Sequence, residues 1–239
     1  MLNTEGNVTK WGRAAETIER GIAGMFDIAS IAGGDRHAHA ARHDGWLIGW
    51  GGNNDGGQVS RSATQRDVAA ISSGVAHTLV LKADGRVHAI GHNGEDQCSV
   101  PPDLDNVRAI AAGGFHSVAA RSDGSVVAWG SNEFGQTNVP AGLNDVVALA
   151  AGSDHTLALK ADRTVVAWGN NDSGQTSVPA GLSDVVQVAA GLAHSLALKL
   201  DGTVVAWGNN EVDQATVPQG LANVVAIAAG YFYNLALKS

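Results

Sequence analysis

Residues 155–193 read HTLALKADRTVVAWGNNDSGQTSVPAGLSDVVQVAAGLA, and the 39 residues before them match this stretch at 23 of 39 positions without a gap. The period extends along the chain, with one residue at each 39-residue step: His77, His116, His155, His194 and Tyr233. Trp129, Trp168 and Trp207 keep the same spacing, and Ile90 stands in a Trp position. A period near 40 residues is typical of propellers and solenoids, because one such repeat cannot bury its own hydrophobic face.

Each repeat predicts three short strands separated by turns. In residues 155–193 the strands are expected at 157–160, 164–168 and 185–190. The first turn reads Asp-Gly in other repeats, as at Asp201-Gly202, and Asp-Gly between two apolar runs is a strong hairpin signal. The strands are nearly continuous apolar runs, which indicates that both of their faces are covered. Several glycines per repeat and no helical periodicity favour an all-β propeller of about 39-residue repeats over a helical solenoid.

The two ends of the chain predict how the propeller closes. Glu5–Gly12, EGNVTKWG, aligns with Asp201–Gly208, DGTVVAWG. The C-terminal segment Asn234–Ser239 aligns with Ser195–Leu200 and stops before the strand that follows the Asp-Gly turn. Residues 5–239 amount to five units of 39 residues and one of 40. The sequence therefore predicts a single domain over residues 1–239, a six-bladed β-propeller closed by pairing the N-terminal strand with the C-terminal blade.

Composition and charge exclude several classes of function. The formal net charge of −8 argues against nucleic-acid binding, which needs a basic stripe for phosphate contacts. The apolar runs are too short for a transmembrane helix, so no membrane partner is expected. Cys98 is the only cysteine, which rules out an internal disulfide. No signal peptide is visible, which favours a cytoplasmic location, although a processed secreted form would look the same.

The repeat carries a specific set of motifs. They stand, in one unit, at Gly191-x-x-His194-Ser195-Leu196-Ala197-Leu198, Asp201-Gly202, Val205-Ala206-Trp207-Gly208 and Gly174-Gln175. This pattern resembles the repeat of the regulator of chromosome condensation family over residues 5–239, and most of all its compact branch, which includes propeller-type β-lactamase inhibitors. The resemblance implies a β-propeller with four short strands per blade that acts by protein–protein binding through its loop faces. Those relatives usually have seven blades, and the chromatin-bound ones carry a basic N-terminal tail that nothing here resembles.

The residues that vary between repeats are the candidates for partner binding. They follow the glycine that ends each repeat's last strand and would cluster on one rim of the propeller: Asp35, Arg36, Phe115, Asp154, Tyr231, Phe232 and Tyr233. Aromatic, Arg and acidic side chains grouped on loops are typical of interface anchors. Tyr231-Phe232-Tyr233 is the best single candidate. Only two of the six variable pairs are aromatic, so β-lactamase inhibition is not favoured.

Two sets of repeated residues have both a structural and a functional interpretation. The repeated His residues, with His37 as the first, would form a ring that could bind a metal or an anion. We favour a structural role, in which each His hydrogen-bonds nearby backbone where its strand begins. The Asn-x-x-Gly-Gln loops (Asn54–Gln58, Asn132–Gln136, Asn171–Gln175) invite a sugar or metal hypothesis, yet Asn and Gly are also what tight turns require. The Trp residues are expected between blades.

Departures from the repeat are the remaining candidates. His39 takes a Leu position, His88 a Val position and Ile90 a Trp position, and Trp46 stands where other repeats have Ser or Thr. His37 and His39 lie two residues apart on one strand face, so that with His43 or His88 a small metal site is conceivable. Relaxed sequence in the most diverged repeats is the interpretation we favour.

The sequence predicts a non-enzymatic monomer that binds a protein partner through loops on one face, with inhibition of that partner as one mode of action. No catalytic motif, metal motif or cofactor signature rises above background. The alternatives are a small-ligand or glycan-binding propeller, or a structural or engineered repeat scaffold without a dedicated ligand. The stoichiometry of binding separates the first two, because a ligand site repeated in every blade would bind several equivalents.

Overall fold

The computed structural model describes residues 27–51, 56–60 and 62–239, in which the regular elements are seventeen β-strands and one 3-10 turn, Ser62–Thr64. The strands recur in threes. First strands are β1 (Ile28–Gly33), β4 (Val68–Ser73), β7 (Val107–Ala112), β10 (Val146–Ala151), β13 (Val185–Ala190) and β16 (Val224–Ala229). Second strands are β2 (His37–Arg42), β5 (His77–Lys82), β8 (His116–Arg121), β11 (His155–Lys160), β14 (His194–Lys199) and β17 (Asn234–Lys238). Third strands are β3 (Leu47–Gly51), β6 (Val87–Gly91), β9 (Val126–Gly130), β12 (Val165–Gly169) and β15 (Val204–Gly208).

Each repeat forms its own antiparallel sheet. Over the part of the chain that the structure describes, five sheets have three strands in sequence order, and the sixth consists of β16 and β17. The all-β architecture of repeated units is confirmed. No helix within the described ranges has the length and hydrophobicity that crossing a membrane would require.

The fourth strand that the family resemblance implied is absent from the described repeats. The segment that follows each third strand is a loop, and residues 170–184 show why. The side chain of Asn171 accepts a hydrogen bond from the N–H of Thr176 (3.0 Å) and donates one to Ser177 Oγ (3.1 Å), which holds the chain in a turn. Pro179 follows, and proline has no N–H for a strand ladder.

The Asp-Gly hairpins between second and third strands form as predicted. In the fifth sheet Leu198 pairs with Val204 across a turn in which Gly202 has φ +78°. The carboxylate of Asp201 accepts the N–H of Thr203 at 3.0 Å and fixes the turn. Every first strand also carries a register shift near its start, as between Val185 and Gln187, which increases the local twist.

The core lies between neighbouring sheets, where the first strands pack side by side. The first five residues of β5, β8, β11 and β14 are buried, so the second strands are covered on both faces as the apolar runs predict. A representative cluster joins Leu157 and Leu159 of the fourth sheet to Val185, Val188 and Trp207 of the fifth. The Trp residues therefore belong to the core between sheets.

The last strand departs from this pattern. All five residues of β17 are exposed, although β17 occupies the position of the buried strand β14. The strand predicted to cover it, within Glu5–Gly12, lies outside the described residues. The six-bladed closure and the single domain over residues 1–239 therefore remain predictions.

Candidate partner-binding face

Two kinds of loop meet at one end of the sheets, and we call this end the loop face. It consists of residues 34–36, 74–76, 113–115, 152–154, 191–193 and 230–233, between first and second strands, and 56–58, 92–98, 131–137, 170–176 and 209–215, after third strands. The rings of His92 and Phe115, one from each kind of loop, stand edge to face with centroids 6.2 Å apart. The Asp-Gly hairpins lie at the opposite end, which we call the hairpin face.

The structure places all seven predicted site residues on the loop face. Tyr231 and Phe232 contact each other with ring centroids 6.3 Å apart, and Phe232 is 55% exposed. Phe115 is also exposed, whereas Asp154 is half-buried. Tyr233 stands in a His position of the repeat but is 62% exposed.

The first and sixth sheets approach each other on this face. Partial burial raises the pKa of Tyr231, and the negative charge of Asp35 raises that pKa further. Asp35 lies in the loop after β1 and also forms an ion pair with Arg36 (Nε to Oδ2, 3.5 Å). The rim predicted from the sequence thus includes residues from both ends of the described chain.

The loop face is strongly acidic. Within the described ranges it carries eight carboxylates: Asp35, Glu95, Asp96, Glu133, Asp154, Asp172, Glu211 and Asp213. Its only Lys or Arg there is Arg36. The other five ion pairs found among the described residues lie at or beside the hairpins, as between Lys160 and Asp162. Four of the five carboxylates in the described hairpin turns, those of Asp44, Asp84, Asp162 and Asp201, therefore form ion pairs, whereas on the loop face only Asp35 does.

A cavity of about 350 Å³ opens where the six sheets converge. Each sheet contributes a glycine to its wall: Gly34, Gly74, Gly113, Gly152, Gly191 and Gly230. A Cβ on Gly113 would overlap the imidazole of His116 and lie 2.7 Å from the carbonyl oxygen of Gly152, so the sheets approach this closely only with glycine here. The wall repeats small residues rather than a set of polar and aromatic side chains, so the small-ligand alternative gains no support from it.

The repeated His residues tie neighbouring sheets together. His77 Nε2 lies 2.9 Å from Ser117 Oγ in the next sheet, and this hydroxyl donates to the carbonyl oxygen of Gln97 (2.8 Å). Because the Ser117 proton goes to a carbonyl, the His77 Nε2–H must be the donor in the first bond. Trp129 Nε1 donates to the same carbonyl at 3.0 Å. The structural role we favoured holds, but the partner of His is a side chain of the next sheet rather than nearby backbone.

The same contact recurs around the described sheets: His37 with Thr78, His116 with Thr156, His155 with Ser195 and His194 with Asn234. Burial lowers the pKa of His77 and His155 to about 4 and that of His116 to about 3, and neighbouring imidazoles add to the shift. These side chains are therefore neutral at pH 7. Among the described residues, no three His, Cys, Asp or Glu side chains are grouped as a metal ion would require.

His39 has a defined role that the sequence analysis missed. Ile90 lacks the indole N–H that Trp129 donates to a Gln carbonyl. His39, from the neighbouring sheet, lies with Nε2 3.0 Å from the equivalent carbonyl oxygen, that of Gln58. A Cβ on Gly49 would lie 2.8 Å from His39 Nε2, so Gly49 makes room for the imidazole. Relaxed sequence was thus the wrong interpretation of His39, which supplies the donor that Ile90 lacks.

The other departures lie apart from His39. His43 and His88 are exposed residues of the hairpin end. Trp46 stacks beneath the guanidinium of Arg66, with Cζ 3.1 Å from the ring centroid. The conceivable metal site therefore does not assemble among these described side chains.

The Asn and Gln side chains of the repeated loops are used within the loops themselves. Asn132 Oδ1 accepts the N–H of Thr137 (3.1 Å), and Gln136 Oε1 accepts the N–H of Phe134 (2.9 Å). The loop that contains Asn171 repeats both contacts. In the first such loop Asn54 lies outside the described residues, and Gln58 Oε1 accepts the N–H of Gly56. These loops are turns that display the residues between Asn and Gln.

Comparisons with known proteins agree with this architecture. The family model described as "Regulator of chromosome condensation (RCC1) repeat" matches residues 68–97, 107–136, 146–175 and 185–214, about half of the chain. No curated protein sequence shows a significant match.

Solved structures share the fold at low identity. Prp20p of Saccharomyces cerevisiae is 20% identical with a TM-score of 0.74, covering 87% of this chain and 68% of its own. Human WBSCR16 is 22% identical with a TM-score of 0.70, covering 88% and 73%. The ectodomain of the Physcomitrella patens receptor kinase CR4 is 19% identical with a TM-score of 0.76, covering 94% and 62%. This chain thus spans about two thirds of the length of these chains. Four matched repeats, each folded as one sheet, establish that the chain belongs to the regulator of chromosome condensation repeat family.

Proposed function

We propose that this chain is a non-enzymatic propeller that binds a protein partner through its loop face. The observation that carries the proposal is the contrast between the two faces. Exposed aromatic side chains stand among carboxylates without local cations on the loop face, whereas four of the five carboxylates in the hairpin turns form ion pairs. One protein of this fold, Prp20p, binds Gsp1p and histones.

The proposed contact residues are the seven predicted from the sequence. Phe115, Tyr231 and Phe232 would act as anchors, because buried aromatic residues contribute most of the energy of typical interfaces. Asp35 and Asp154 belong to the acidic field around them. A partner with Lys or Arg side chains fits this surface, since these pair with carboxylates and stack on aromatic rings. Such a partner would be inhibited if its own active site lay under the face.

The test begins with capture of partners from cell extract and culture medium, followed by calorimetry with the purified partner. The triple variant Phe115→Ala, Tyr231→Ala, Phe232→Ala should lose affinity by at least 100-fold, while the control Leu200→Ala on the hairpin face should bind normally. Affinity should fall steeply with salt. Equal binding by the triple variant contradicts the proposal. Several equivalents per chain would favour the small-ligand or glycan alternative instead.

We also propose a single domain over residues 1–239 that closes as a ring of six blades. Two features support this: the cavity bordered by all six sheets, and a sixth sheet that has, among the described residues, one strand fewer than the rest. Glu5–Gly12 has the sequence of a third strand. If this strand pairs with β17 as β15 pairs with β14, where Val205 stands opposite Ala197, Thr9 would stand opposite Ala236.

Engineered disulfides test this register. In a Cys98→Thr background, the pair Thr9→Cys and Ala236→Cys should cross-link on mild oxidation, because directly opposed strand residues bring their Cβ atoms within disulfide range. The control pair Lys10→Cys and Ala236→Cys places the thiols on opposite faces and should remain reduced. Equal cross-linking of both pairs, or of neither, contradicts the register.

A further inference from the structure

The loop that follows the second sheet, residues 92–98, differs from the equivalent loops at two positions. Its first three residues are His92, Asn93 and Gly94. The equivalent triplets, after the third, fourth and fifth sheets, are Ser131-Asn132-Glu133, Asn170-Asn171-Asp172 and Asn209-Asn210-Glu211. All four of these fully described loops keep the central asparagine. Only in the loop after the second sheet does a histidine precede it and a glycine follow it.

The imidazole of His92 contacts the backbone N–H of Gly94. His92 Nδ1 accepts that N–H at 3.2 Å and also the side-chain N–H of Gln97 at 3.2 Å. Because two donors meet Nδ1, the ring proton is on Nε2, and the nitrogen that faces Gly94 has a basic lone pair. In the loop after the fifth sheet Asn209 takes this position, and its Oδ1 accepts the N–H of Glu211 at 3.3 Å. A carboxamide oxygen therefore makes the same contact without being a base.

Glycine at position 94 is what allows the imidazole to approach this closely. A Cβ on Gly94 would lie 2.5 Å from His92 Cε1, which is well inside contact distance. Any other residue at position 94 would therefore push the ring away from the backbone. Glycine also has no side chain that could shield its own nitrogen from a neighbouring group. His92 and Gly94 are thus fitted to each other, and the nitrogen between them is accessible.

The side-chain amide of Asn93 is held by hydrogen bonds that favour addition of a nucleophile to its carbon. Asn93 Oδ1 accepts the N–H of Cys98 at 2.7 Å, and Asn93 Nδ2 donates to Ser99 Oγ at 3.1 Å. A backbone N–H on Oδ1 stabilises the negative charge that develops on this oxygen when a nucleophile adds. Both Asn93 and Gly94 are exposed, so water also reaches these atoms. A nucleophile, a base and an oxyanion donor therefore stand around one amide.

We propose that Asn93 deamidates within the folded protein, with His92 as the general base. His92 Nδ1 takes the proton from the backbone nitrogen of Gly94, and this nitrogen attacks Asn93 Cγ. The bond between Gly94 N and Asn93 Cγ forms, the Cγ–Nδ2 bond breaks, and Nδ2 leaves as ammonia with the proton that Gly94 gave up, carried through solvent. Water then opens the succinimide ring, which leaves aspartate or isoaspartate at position 93. The reaction consumes water, releases ammonia and needs no oxidant or reductant.

The modification would change the loop face beside one of its aromatic residues. The new carboxylate can still accept the N–H of Cys98 but no longer donates to Ser99, and it adds a negative charge to an acidic face. The ring of His92, the residue before Asn93, stands edge to face with Phe115. Deamidation therefore alters the charge and shape of the loop next to a proposed anchor. This consequence for binding rests on the proposed function, whereas the reaction itself does not.

Peptide mapping by mass spectrometry tests the reaction in the unmodified full-length protein. During incubation at neutral pH, Asn93 should convert to a mixture of aspartate and isoaspartate. This mixture identifies the succinimide, because direct hydrolysis of the amide gives aspartate alone. The same chain provides internal controls, which occupy the same loop position before an acidic residue and should stay intact: Asn132, Asn171 and Asn210. Equal conversion at all four positions, or no conversion at Asn93, overturns the proposal.

Two variants isolate the contribution of His92. His92→Asn keeps an acceptor for the Gly94 N–H, as Asn209 does in its own loop, but removes the base. The rate at Asn93 should therefore fall by at least about 10-fold. The double variant His92→Asn, Gly94→Glu restores the triplet of the loop after the fifth sheet and should abolish the reaction. An unchanged rate in His92→Asn overturns the role of His92 as the base.

A synthetic peptide of residues 89–101 isolates the contribution of the fold. It contains the same Asn-Gly pair and the same imidazole, but nothing holds His92 Nδ1 against the Gly94 N–H. The folded protein should therefore react faster than the peptide under the same conditions, with circular dichroism to verify that the protein stays folded. A folded protein that reacts no faster than the peptide would show that the loop protects Asn93 rather than activating it, which overturns the proposal.

Discussion

The interfaces among sheets three to five and the interface between sheets one and two solve one problem with different residues. In the interfaces among sheets three to five, which we call the regular part, a Trp such as Trp168 both fills the apolar space between two sheets and donates a hydrogen bond to a Gln carbonyl. In the interface between sheets one and two, which we call the diverged part, Ile90 fills the apolar space, and His39 donates the hydrogen bond from the opposite sheet. Both interfaces therefore keep a side-chain hydrogen bond to the Gln carbonyl, although different residues donate it. Both parts also contain buried imidazoles that must stay neutral in the folded protein. We therefore expect low pH to reduce the stability of both parts more than any other change considered below.

Acidification should unfold the protein between pH 6.5 and about pH 4. The folded pKa of His39, His77 and His155 is about 4 and that of His116 about 3, against 6.5 for an ordinary His. Over this window the unfolded chain binds protons that the folded chain cannot, so stability falls as the pH falls. By pH 4.5 each imidazole costs roughly 2 kcal/mol, and four together approach the whole stability of a typical domain. Circular dichroism against pH would measure the midpoint, and a protein fully folded below pH 4 would contradict this account.

Trp207→Ile should be the most damaging single substitution in the regular part, at about 3–4 kcal/mol. It copies the Ile90 arrangement into the fifth sheet but leaves Gln175 O without its indole donor. Adding Leu157→His and Ala167→Gly, the counterparts of His39 and Gly49, should recover part of the loss. Urea unfolding measures each step. If the added pair worsens Trp207→Ile, then the role we assign to His39 is wrong.

The reverse exchange, in which a Trp replaces His39 as the donor to Gln58 O, tests the same account at the interface between the first and second sheets. His39→Leu should cost about 2 kcal/mol, because the buried carbonyl of Gln58 loses its donor while the apolar volume changes little. Ile90→Trp in the same chain should restore stability by supplying an indole N–H. The double variant also contains one buried imidazole fewer, so its acid midpoint should lie lower than that of the parent. A double variant no more stable than His39→Leu would contradict the exchange.

The sequence predicts those parts of the molecule that depend on neighbours in the chain. The 39-residue period, the strands, the Asp-Gly hairpins and the Trp core all follow from local pattern. A fourth strand was expected from family resemblance and is wrong, because Asn171 and Pro179 hold that segment as a loop. The partner of His77 was also wrong, since Ser117 lies one repeat away and local pattern does not identify contacts across an interface.

Because local pattern does not identify contacts between distant residues, the role of His39 was missed and the partner-binding residues stay predictions. His39 and Ile90 are 51 residues apart, so their exchange of roles emerges only when Gln58 O is seen between them. Variation between repeats did locate the loop-face residues, because a residue that the fold does not require is free to differ. Which of them contact a partner depends on that partner's surface, so their roles stay predictions.

The smallest effect we predict distinguishes one regular repeat from the rest. The hairpin of the fourth sheet has Arg163 at φ +67°, where other hairpins have Gly85, Gly124 and Gly202. A left-handed conformation costs a residue with a Cβ roughly 1 kcal/mol, part of which is offset because glycine loses more backbone entropy on folding. Arg163→Gly should therefore stabilise the protein by less than about 1 kcal/mol, and Gly202→Arg should destabilise it, since a Cβ there would lie 3.2 Å from Asn223 Cα. Paired urea unfolding curves would resolve the two signs, and a destabilised Arg163→Gly would mean that the Arg side chain contributes a contact that outweighs the strain of its backbone.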